Sequence, residues 1–141
     1  MFKDILVPLD LGDKTESERL LGRAETLAAQ SDARLHVMTV VPDYATPLVA
    51  SFFPKDYEKN AVAEGEKDLK AFVSGHSAKG IVAQYIVGHG SVYKEVVRMA
   101  GKTGCDLIIM GPGASDESDY LLGHNAARVM RHAACSVLLL R

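Results

Sequence analysis

Two stretches of this chain combine residue types at spacings that suit phosphate chemistry. The first is the apolar run Lys3–Leu9 (KDILVPL), which ends in Val7, Pro8 and Leu9 and is closed by the carboxylate of Asp10. The second runs Met110, Gly111, Pro112, Gly113 and is followed ten residues after Gly113 by Gly123, His124 and Asn125. Glycine lets a backbone approach a ligand closely, and the free N–H groups at a helix start attract anions. These types suggest a phosphate held by Gly111, Gly113, Gly123, His124 and Asn125, with Asp10 accepting from a ribose or base. The same glycines would serve as plain turns, so spacing alone leaves both readings open.

Other chemistry finds less support. There is no G-x-S-x-G elbow and no metal-ligand pair, and a Ser115–His124 dyad would lack a third, orienting group. A receiver domain needs a phospho-acceptor Asp after its third strand, where this chain has Val87, Gly88 and His89. An FMN loop needs Ser, Thr and Gly after the first strand, where Asp10, Leu11, Gly12, Asp13 and Lys14 stand. Cys105 and Cys135 lack C-x-x-C spacing and read as small buried hydrophobes. His36 and His132 read as structural, and His89 as part of a surface turn. No catalytic residue and no metal ligand is expected.

The elements that must position these residues follow from length and pattern. A chain of 141 residues has room for one domain, expected over 1–141, and 48% apolar content is ample for its core. Sixteen Lys and Arg against 18 Asp and Glu give a net charge of −2, which argues against a nucleic-acid or anionic-membrane binder. No apolar stretch reaches the roughly 18 residues of a membrane span, and no signal h-region opens the chain, so a cytoplasmic protein is expected. Strands are expected at 3–9, 34–41, 80–87, 106–110 and 136–140. Helices are expected from Asp13, where Asp13 and Glu16 form a capping-box-like start, over 56–74 with Gly75 as its stop, after Ser91 with Gly101 and Gly104 closing it, and over 125–134. The 42–55 stretch, with three prolines, Tyr44, Phe52 and Phe53, reads as a loop that packs on something. Strands that are continuous apolar runs alternating with helices predict an α/β fold: a single-domain, doubly wound five-stranded parallel sheet with helices on both faces. With order 3-2-1-4-5, ligands bind where strands one and four diverge, which is where Asp10 and Gly111 stand.

The segments ILVPLD, VGHGSVYKEVV, DLIIMG and LLGHNAARVMRHAACSVLLLR, in this order and spacing, resemble the universal stress protein family along essentially the whole chain. ATP-binding members carry G-x2-G-x9-G-[S/T] after strand four. The resemblance implies that an adenine nucleotide, ATP or AMP, meets Asp10, Val40, Gly111 and Gly123, with Pro8, Leu9 and Met110 beside them. Three departures stand out: the interval from Gly111 to Gly123 is one residue short, Ala114 replaces the second glycine, and His124 replaces the hydroxyl. The short interval resembles the F-type and G-type subgroup. Asp116, Glu117 and Asp119 would face a triphosphate with like charge, so ATP is expected to need Mg²⁺ or to bind more weakly than AMP.

The resemblance also implies a homodimer through strand 137–140, whose apolar edge lacks a gatekeeping charge before Arg141. The expectation is a nucleotide-dependent stress regulator that is at most a very slow ATPase. The alternative is a dimeric interaction module without nucleotide binding, whose protein partner the sequence does not name.

Overall fold

The computed structural model describes residues 1–42, 56–77, 80–113 and 123–141. In chain order these form β1 (Asp4–Pro8), α1 (Lys14–Ser31), β2 (Arg34–Val41), α2 (Tyr57–His76), β3 (Val82–His89), α3 (Val92–Thr103), β4 (Leu107–Met110), α4 (His124–His132) and β5 (Ser136–Leu139). The five strands make one sheet of order β3-β2-β1-β4-β5, every neighbouring pair parallel. The expected doubly wound order is the observed one.

Alternation along each strand splits the core in two. Ile5, Val7, Leu35, Val37, Leu107 and Ile109 point to one face, where Leu20, Leu21 and Ala24 of α1 and Leu69, Phe72 and Val73 of α2 cover them. Leu6, Met38, Ile86, Ile108 and Met110 point to the other, under Val96 and Ala100 of α3 and Ala126 and Val129 of α4. Central strands buried on both sides explain why β1 and β4 read as unbroken apolar runs.

Several boundaries differ from expectation. β3 lies two residues later than expected, because as an edge strand it is only partly covered and its apolar run does not mark its ends. α2 runs through Gly75 to His76, whose ring stacks on Phe72 at 4.3 Å and hydrogen-bonds to the Phe72 carbonyl. Ala63, although apolar, is exposed on α2. Gly101 lies within α3, and Gly104 at φ 69° ends it by donating to Ala100 and Gly101. Ser91 occupies the N-cap of α3 without a side-chain capping bond. α4 spans one residue earlier and two fewer at its end than expected.

A polar cluster fastens the N-terminal ends of the first three strands. Asp4 accepts from Arg34 at 2.8 and 3.0 Å and pairs with Nε2 of His36 at 2.8 Å, while Nδ1 of His36 meets Gln84 at 2.7 Å. The backbone N–H of Asp4 donates to Asp106. The Arg34 guanidinium first, and then His36, hold the Asp4 carboxyl below the ordinary carboxylate range against the opposing effect of burial.

Candidate functional site at the ends of strands one and four

The opposite, C-terminal edge of the sheet carries the residues singled out for phosphate chemistry. Ile5 pairs with Leu107 and Leu6 with Ile108, so the same register carries Pro8 and Leu9 level with Met110 and Gly111. Leu9 is buried; its N–H donates to Met38 and its carbonyl accepts from Thr39. Val40 is half-buried, pairs with Gly88 and packs against the core on the α3–α4 side. Met110 is buried and its carbonyl accepts from Leu140.

Asp10 is exposed and folds onto its own turn. Its Oδ1 accepts from the N–H of Gly12 at 2.9 Å, and its carbonyl accepts from the hydroxyl of Ser17 at 2.6 Å and the N–H of Asp13. This Asx turn leads into α1, whose N-cap Asp13 accepts from the N–H of Glu16 at 3.2 Å. Among the described residues, Oδ2 of Asp10 makes no hydrogen bond.

Across the crevice the chain leaves β4 through Gly111, Pro112 and Gly113 and returns at Gly123, where α4 begins. Gly123 donates its N–H to the Pro112 carbonyl. A Cβ built on Gly123 would lie 2.8 Å from both the Gly113 Cα and the Pro112 oxygen, and Gly113 itself sits at φ 81°. Both glycines are therefore required, one for contact and one for backbone conformation. His124 is exposed and Asn125 half-buried on the first turn of α4. The N–H groups of that turn have no intrahelical acceptor. The first turn carries no acid, and Arg131 and His132 occupy the last, so the local charge favours an anion at its start.

Sequence reasoning missed Glu16 and Arg19. The Glu16 carboxylate rests against Gly111, where a side chain at 111 would begin. Arg19 pairs with it at 2.7 and 2.9 Å and donates to the carbonyls of Leu140 and Arg141 at 3.0 and 3.1 Å. The Glu16 hydrogen bond raises the Arg19 guanidinium above its ordinary value. The expected capping box forms by half: the Glu16 N–H reaches Asp13, but the Asp13 N–H donates to the Asp10 carbonyl and the Glu16 side chain turns to Arg19, for which the Glu-x-x-Arg spacing was the usable signal. This clasp ties α1, the end of β4 and the chain terminus together, and the cation offsets a carboxylate that would otherwise face the crevice alone.

His89 closes β3 and pairs with Glu58 at 3.2 Å, away from a free surface turn. Ser115, Ala114 and the acidic residues Asp116, Glu117 and Asp119 lie outside the described residues, as does the 42–55 loop beyond Pro42. Among the described residues no group of three His, Cys, Asp or Glu side chains is placed to hold a metal. The thiols of Cys105 and Cys135 are both pushed up by burial, which disfavours the reactive thiolate.

The sequence model of the universal stress protein family matches residues 1–141. The chain belongs to this family. As a universal stress protein it is 32% identical over 143 residues to Universal stress protein G of Escherichia coli O157:H7, with both chains covered in full. A solved structure of a universal stress protein family member from Burkholderia pseudomallei is 27% identical, with a TM-score of 0.69 and coverage of 98% of this chain and 95% of that one. Another universal stress protein, solved in complex with cAMP, has a TM-score of 0.62 at 24% identity and covers 99% and 97% of the two chains; that likeness is one of fold. No helix among the described residues is long and apolar enough to cross a membrane.

Proposed function

We propose that this universal stress protein binds an adenine nucleotide, ATP or AMP, in the crevice between β1 and β4 and acts as a nucleotide-dependent regulator in the cytoplasm. The observation that carries the reading is the close approach of Gly113 and Gly123, which sets the end of β4 against an acid-free helix start. Phosphate oxygens would accept from the N–H groups of Gly113, His124 and Asn125, with Gly123, its own N–H held by the Pro112 carbonyl, letting the two segments approach. Asp10, through Oδ2, would accept from the ribose or base, with Pro8, Leu9, Val40, Met110 and Gly111 forming the walls. That a family member has been solved with cAMP supports an adenine nucleotide over other anions.

Asp10 is the one carboxylate of the proposed ligand set, so a divalent ion would ride on the phosphates and water, not on a protein cage. The set holds phosphate donors and no base aimed at a water, and hydrolysis is expected to be very slow at most. Calorimetric titration of nucleotide-stripped protein with ATP and AMP, each with Mg²⁺ and with EDTA, tests the reading. Micromolar binding, with ATP weaker than AMP in EDTA, is expected. Equal affinities in EDTA would refute the proposed repulsion by the acidic 116–119 segment, and no heat with any nucleotide would refute the function.

We propose further that the protein is a homodimer through β5, the last strand of the sheet. Leu139 packs into the α3–α4 core, and the exposed leucine of β5 is Leu138. Leu138→Glu is expected to give a monomer by sedimentation at micromolar concentration, with a melting temperature within a few degrees of the wild-type protein treated at equal concentration. A dimer that survives the substitution would contradict pairing along this edge.

A further inference from the structure

Charge is distributed unevenly over the two faces of the sheet. α1 and α2 together carry six Lys and Arg against seven Asp and Glu. α3 and α4, on the other face, carry Lys94, Arg98, Lys102, Arg128 and Arg131 against Glu95 alone. In a chain of net charge −2, α3 and α4 thus carry a net positive excess, because acids balance the cations of α1 and α2 and not theirs.

The cations are placed as a surface. Lys94, Arg98 and Lys102 recur at i, i+4 and i+8 and are all exposed, so they form one stripe about 12 Å long on α3. Arg128 and Arg131 are exposed on α4. The two helices are joined at the surface by Tyr93, whose ring lies 5.0 Å under the Arg128 guanidinium and 5.8 Å from the His132 ring. Met130, 46% exposed, stands in the same helix turn as Arg131. Tyr, Met and Arg are the types that protein interfaces enrich over ordinary surface.

We propose that the outer face of α3 and α4 is a docking surface for an acidic segment of a partner protein. Nucleic acid fits it less well. Glu95 lies within the α3 stripe and pairs with Arg98 at 2.6 Å, breaking any continuous track for phosphates. The Tyr93 ring is already covered by Arg128 and His132, so it offers no free face to a base. A membrane fits it less well too, since the apolar side of α4, Ala126 and Val129, is spent on the core and leaves only Met130 to enter lipid. Discrete Asp and Glu side chains beside one apolar side chain match both the spaced cations and Met130.

The test uses the full chain and a fluorescein-labelled peptide of six Glu and two Leu, followed by anisotropy at 50 and 200 mM salt. Lys94→Glu, Lys102→Glu and Arg131→Glu are combined in one variant, since among the described residues none of these three side chains makes a hydrogen bond or ion pair, and circular dichroism and melting verify that it folds. Arg23→Glu on α1 with Lys59→Glu and Lys67→Glu on α2, three exposed positions and the same change in net charge, is the matched control. Saturable binding that falls at least tenfold in the α3–α4 variant and less than twofold in the control supports the proposal. Equal loss in both variants would overturn it as unspecific attraction. Tighter binding of a single-stranded 20-mer DNA or of phosphatidylglycerol vesicles than of the peptide would overturn the class of partner. No saturable binding of the peptide would overturn the surface itself.

Discussion

Gly123→Ala is expected to weaken adenine-nucleotide binding by at least about tenfold, a loss of about 1.4 kcal/mol. The added methyl would meet backbone atoms at 2.8 Å, the Gly113 Cα on one side and the Pro112 oxygen on the other, and backbone does not swing away as the end of a long side chain does. The segment after β4 must then separate from the start of α4, and the N–H groups that converge on one phosphate diverge. The same overpacking should lower stability by about 1–3 kcal/mol, so melting of the ligand-free variant must accompany the titration. Gly75→Ala is the control, because a Cβ there meets nothing within 4 Å. Undiminished affinity in a folded Gly123→Ala would place the nucleotide somewhere other than the start of α4.

The second large effect belongs to the far end of the sheet. Asp4→Ala is expected to cost about 2–3 kcal/mol, because it strips a buried partner from His36 and removes the acceptor that joins β1 to β2. Arg34→Ala should cost much less by comparison, since the Arg34 side chain is 71% exposed and its pairing is screened by water. The Asp4 carboxyl sits below its ordinary value of 3.8 in the folded protein. A depressed carboxylate stabilises the fold fully above the unfolded value and loses that contribution as pH falls through the folded one. Urea unfolding should therefore show the gap between wild type and Asp4→Ala at full size at pH 7 and shrinking below about pH 3.8. A gap that stayed at full size well below pH 3.8 would contradict the Arg34–Asp4–His36 arrangement.

Much of this architecture was legible because the physics that forms it is local. β2 could be bounded from Arg34 to Val41 since Pro42 closes it, and the start of α1 could be read from Asp13, whose side chain caps the helix as the spacing required. β3 was harder. Its central residues are covered and its first ones exposed, so hydrophobicity located the strand but not its ends. α2 overran Gly75 because the stacking of His76 on Phe72 continues the helix past a residue with weak helical preference.

The candidate site divides in the same way. Asp10, Gly111 and Gly123 were found because a carboxylate and glycines at strand ends stand out in a line of sequence. The mutual contact of Gly113 and Gly123 was not, since ten residues separate them in the chain. Nor was the Glu16–Arg19 clasp, whose meaning comes from Gly111 and the carbonyls of Leu140 and Arg141, more than 90 residues away along the chain. Sequence spacing reports what a residue does within its own element and says little about what it meets across the sheet.

The central claim is that nucleotide phosphates sit between the end of β4 and the start of α4. Titration of ¹⁵N-labelled protein with AMP, followed by amide shifts, tests it most directly. The account predicts the largest shifts at the N–H groups of Gly111, Gly113, Gly123, His124 and Asn125, with smaller ones at Leu9, Asp10 and Val40. Saturable binding that left those amides unmoved and shifted others would contradict it.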